Sequence, residues 1–93
     1  MTDQPAPKPG RGDVWLEVIG DPIVLWMPAE LDRMCWKRRD LGIARYETPI
    51  QYDNGRDTRR DAREEGLDLA VYLWALGWRW TARAVLVLAW GLR

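Results

Sequence analysis

A chain of 93 residues buries little apolar surface by itself, and its single Cys35 and lack of His exclude an internal disulfide and a His/Cys zinc site as staples. Fourteen Lys and Arg balance fourteen Asp and Glu, so no global field gathers a polyanion and no specific nucleic-acid partner is expected. Seven Trp and no Phe are too many rings for one small core and suit interfaces, so the expected fold is all-α, a small helical bundle completed by homo-oligomerisation, dimer or higher.

Met1 to Asp13 is polar and rich in Pro and Gly, which predicts a disordered tail ahead of a single helical domain over residues 14–93. The same stretch lacks the apolar core of a signal peptide, so a cytoplasmic protein is expected. Val14 to Met27 is mostly apolar and is broken at Gly20-Asp21-Pro22; short helical turns are expected there, with Asp13 and Asp21 as N-caps and Pro22 at a first helical position. Residues 28–41 read as a helix, with Leu31, Met34, Cys35 and Leu41 at helical spacing and Gly42 as its stop.

Ile43 to Asn54 has no apolar period, contains Pro49 and closes on Asn54-Gly55, which predicts an ordered loop. From Asp57 to Trp90 there is no Pro and much apolar content, which predicts a long helix or two stacked helices, with Gly77 the place where a hairpin would turn. Leu67 to Leu92 is long enough to span a bilayer, but Arg79 and Arg83 at its middle would each cost about 3 kcal/mol there. A helix covered by partner helices is expected instead, and no membrane.

On a continuous helix Asp57, Asp61, Glu64, Glu65, Asp68 and Tyr72 share one face, being three, four or seven residues apart, and Arg79 and Arg83 extend that stripe. Carboxylates so placed repel unless cations answer them, and oxygen-only clusters select Mg²⁺. The plainer alternatives are the helix dipole, which favours Asp57 and Asp61 in a first turn, and pairing of Arg60 with Glu64. Below Asp68 the helix is apolar nearly all round, so the lower acids are expected to meet a buried boundary, where Tyr72 could stack a base and Arg79 hold a phosphate.

The Asn54-Gly55-Arg56-Asp57 turn and the carboxylates after it thus form the expected working surface. Arg33, Lys37, Arg38, Arg39, Arg45, Arg56, Arg59 and Arg60 crowd the middle of the chain, enough for a few phosphates or an ordinary solvated face. No His is present for a triad, no Walker A pattern and no dinucleotide fingerprint occur, and Cys35 sits at core spacing with Leu31 and Met34.

Gly42-Ile43-Ala44-Arg45-Tyr46, Thr48-Pro49-Ile50, Asn54-Gly55-Arg56-Asp57, Asp61-Ala62, Glu65, Asp68 and Tyr72-Leu73 resemble a family of small tailed-bacteriophage proteins over about residues 28–76. Glu47 departs from that pattern, which usually has Gly after the Tyr. The acidic helix in turn resembles one half of the MazG-like nucleotide pyrophosphohydrolases. That resemblance implies an oligomeric helical bundle in a host bacterial cytoplasm, holding Mg²⁺ against a (d)NTP while water attacks a phosphorus and pyrophosphate leaves.

Glu65-Gly66-Leu67-Asp68 matches the family's ExxD half, with Glu64 just before it, but EExxE is absent. By this likeness Glu64, Glu65 and Asp68 are the catalytic candidates and Asp61, Glu65 and Asp68 the metal ligands, with Glu30 and Asp32, or Asp57 and Asp61, as substitutes for the missing half. A second class is a non-catalytic anti-defence sponge that sequesters a cyclic nucleotide signal through Arg45, Tyr46, Thr48, Asn54 and Arg56, with Asp57 and Tyr72 as further ligand contacts. A third is an interaction module whose Trp-rich surface docks on a host protein.

Overall fold

The computed structural model describes residues 4–93, and residues 1–3 of the expected tail lie outside them. Among the described residues the chain is all-α: α1 (Val14–Ile19), α2 (Pro22–Leu25), α3 (Ala29–Tyr46), α4 (Thr58–Ala75) and α5 (Arg79–Gly91). The chain divides into two compact units, the residues up to Arg56 and Asp57–Arg93.

In the first unit the caps read from the sequence are formed. The Asp13 carboxylate accepts from the Leu16 amide at 3.2 Å, and Asp21 accepts from Ile23 and Val24 at 3.0 and 3.1 Å, with Pro22 opening α2. The other Asp13 oxygen accepts from Arg39 Nε and Nη2 at 3.0 and 2.8 Å, which ties the start of α1 to α3. Burial opposes ionisation of this carboxyl, but the hydrogen bonds from Arg39, Leu16 and Trp15 and the Arg39 charge outweigh it, so its pKa lies below the ordinary 3.8.

The expected helix over 28–41 runs five residues further, straight through Gly42, which is half-buried with open space around its α-carbon. An interior Gly weakens a helix by only about 1 kcal/mol, less than continued intrahelical pairing returns. The stop falls at Glu47, in the left-handed region (φ 64°), two residues before Pro49. Gly is the residue that fits such a cap without steric cost. Glu47→Gly is therefore expected to raise stability by about 1 kcal/mol, read as a higher denaturant midpoint at unchanged slope.

The segment expected as a disordered tail is paired in the structure. Lys8, Arg11 and Val14 donate their amides to the carbonyls of Asn54, Tyr52 and Ile50 at 3.0, 2.7 and 2.9 Å, and Tyr52 returns an amide to Arg11 at 2.9 Å. Gly10 makes this approach possible, because any side chain there would collide with the Tyr52 carbonyl. Local composition sees only the Pro and Gly content, not the backbone partner some forty residues away.

The second unit is a helical hairpin. Gly77 (φ 87°) takes the left-handed position after α4, its amide bonded to the Trp74 carbonyl and that of Trp78 to Leu73, both at 2.9 Å, a Schellman turn. The chain reverses here, so Arg79 and Arg83 sit on α5 and do not extend the acidic stripe of α4. The helices meet along small residues: Ala70, Ala82 and Ala89 are buried, and a Cβ at Gly66 would meet that of Ala89 at 3.3 Å. Among the described residues no large side chain is fully buried, and no helix is long and apolar enough to cross a membrane.

Candidate functional site

The candidate residues fall into two groups. In the first unit, Asn54 is buried and its Oδ1 accepts the Arg56 amide at 3.1 Å, an Asx turn that leaves Gly55 in the left-handed region at φ 81°. The Arg56 guanidinium donates to the Pro5 carbonyl, and Thr48 Oγ1 donates to that of Pro49 at 3.3 Å. Asn54, Arg56 and Thr48 thus have structural work in the loop. Arg45 and Tyr46 are exposed at the end of α3, the guanidinium 5.4 Å from the ring centroid.

The second group lies on α4. Asp57 is the N-cap, its carboxylate accepting the Arg60 amide at 3.0 Å, and Asp61 occupies the first turn. Arg60 Nε lies 3.3 Å from Glu64, the i,i+4 pair anticipated from spacing. Further along, Glu65, Gly66, Asp68, Leu69 and Tyr72 line one shallow open recess. The structure thus brings together Glu65, Asp68 and Tyr72. Neither acid has an ion-pair partner among the described residues.

Asp68 is exposed and not at a buried boundary as expected, because a two-helix hairpin covers only the face carrying Gly66 and Ala70. Among the described residues no three acids converge into a group able to hold a metal ion. The substitutes Glu30 and Asp32 lie in the first turn of α3, in the other unit.

Two features escaped the sequence. The first is a groove on the hairpin lined by Ala70, Val71, Trp74, Ala75 and Leu86, with Arg79 and Arg83 each 5.2 Å from the Trp74 ring. No helical period links Trp74 to those arginines, since the Gly77 turn brings them together; the available signal was Gly77 itself. The second is an apolar knob on α2, where Ile23 and Leu25 are largely exposed and Trp26 is 90 % exposed.

Compared with known proteins, the chain matches no family model, no curated protein and no solved structure.

Proposed function

We propose that the chain is a nucleotide-handling protein that works through the open face of α4, a phage product acting in a host bacterium as its resemblance implies. The observation that carries this is the recess in which Glu65 and Asp68 stand beside Tyr72, unpaired and open to solvent. An aromatic ring offers a stacking platform to any base, and paired carboxylates suit the cationic side of a Mg²⁺-bound triphosphate. Pyrophosphohydrolysis of a (d)NTP is the activity this face and the ExxD spacing favour. One chain does not supply a converged metal set, so no hydrolytic step is assigned to individual atoms.

That same lack of convergence favours a second reading, retention of a nucleotide without cleavage, as in a sponge. The knob at Ile23, Leu25 and Trp26 favours a third, docking on a host protein, since large apolar side chains left outward on a capped helix mark interaction sites.

A panel of dNTPs and cyclic dinucleotides incubated with the protein and Mg²⁺, then filtered and analysed by mass spectrometry before and after heat denaturation, separates the three. Appearance of monophosphate and pyrophosphate is the expected result, lost in Asp68→Asn. A nucleotide that leaves the filtrate and returns intact on heating establishes retention. A panel that passes untouched sinks both nucleotide readings and leaves the α2 knob, to be probed with Trp26→Ala.

A further inference from the structure

The α4–α5 hairpin has no interior of its own. Its fully buried residues are Ala70, Ala82 and Ala89, with Gly66 against Ala89, and of the larger side chains Leu73 and Val85 are only half-buried. Val71, Trp74, Leu86, Val87, Leu88 and Trp90 are between 40 and 69 % exposed. Leu86, Val87 and Leu88 follow one another on α5 and point to different sides, so one partner cannot cover all six; Val71, Trp74 and Leu86 are the ones that line the groove.

Charge along the hairpin is segregated. Residues 57–68 carry five carboxylates and three guanidiniums, whereas residues 69–93 carry Arg79, Arg83 and Arg93 and no acid. Two hairpins stacked closed end on closed end would crowd four guanidiniums with no carboxylate nearby. Stacked closed end on open end, each pair of arginines meets the acidic half of the other copy's α4.

We propose that a second copy of this chain covers the groove lined by Ala70, Val71, Trp74, Ala75 and Leu86, the two hairpins packing antiparallel into a four-helix layer about a two-fold axis. Antiparallel helical hairpins that share an apolar centre are a standard route to a bundle core that neither half possesses. This goes beyond the nucleotide reading and stands without it, since its readouts need no nucleotide.

Sedimentation equilibrium of the full chain is expected to give a dimer at micromolar concentration. Val71→Asp with Leu86→Asp, both changes at positions outside the seam, should weaken it at least a hundredfold while circular dichroism stays helical. In a Cys35→Ser background, Val71→Cys should cross-link to itself on mild oxidation and Trp80→Cys, at the closed end, should not. A monomeric wild type overturns the proposal, as does a dimer indifferent to the two aspartates or one that cross-links only through position 80. Tryptophan emission that shifts only when phosphatidylcholine–phosphatidylglycerol vesicles are added, in a chain that stays monomeric, gives the face to a lipid surface and overturns it equally.

Discussion

Replacing Asp13 with Ala is expected to destabilise the first unit by about 3 kcal/mol, because one carboxylate performs two tasks there. It caps α1 through the Leu16 amide and holds Arg39 by two charge-assisted hydrogen bonds. The pair is 14 and 20 % exposed at its side chains, so truncation leaves a half-sheltered guanidinium without its carboxylate. Asp13→Asn keeps a capping oxygen and loses the charge, so it should fall about midway. Removing Arg39 as well, with Asp13→Ala and Arg39→Met together, should be milder than the two single costs added, and a double-mutant cycle in urea measures the difference.

The same pair fixes a pH dependence. The Asp13 carboxyl is more acidic in the folded chain than in the unfolded one, whose value is near 3.8. Its contribution is therefore complete above that value and is lost as pH falls through the lower folded pKa. Unfolding followed between neutral pH and pH 2 should show this loss in the wild type, and a flatter profile in Asp13→Asn.

The second large effect is expected at Ala82, which has no solvent exposure. Leu at this position adds three carbons to a seam where Gly66 already faces Ala89 at near-contact, so the helices must separate or the new side chain must leave its rotamer well. The cost should be about 3 kcal/mol, the upper end for overpacking. Leu at the exposed Val87, on the same helix, should stay within about 0.5 kcal/mol of wild type. Equal losses at the two positions would show that Ala82 is not held against α4.

Legibility in the sequence followed the range of the physics involved. Caps at Asp13 and Asp21 depend on bonds over two or three residues and were plain, whereas Asp57, which caps α4, was read as a first-turn acid and a ligand contact. Gly42 and Gly77 carried the same sign and had opposite outcomes. Helix α3 ignores the first, because Ile43 to Tyr46 continue it, whereas α4 ends at the second in a left-handed turn. That turn moved Arg79 and Arg83 off the acidic face and onto Trp74, which no count along a single helix could show.

The candidate site was legible in part for the same reason. Glu65, Asp68 and Tyr72 share a face by local spacing, and the recess on α4 contains all three. Exposure of Asp68 was not legible, since it depends on how much of α4 its neighbour covers. Nor was the structural use of Asn54 and Arg56, whose partners Lys8 and Pro5 lie in a segment with no apolar period.

The pairing of Arg11 with Tyr52 also sets a clock on the nascent chain. The α4–α5 hairpin closes through near neighbours in sequence and can zip within microseconds of being available. The N-terminal segment is made early and stays unmatched until residue 52 has been added, 41 residues later, roughly 2 to 8 s at ordinary rates of translation. For that interval Arg11 has no backbone partner, whereas each turn of α4 and α5 finds its own within four residues.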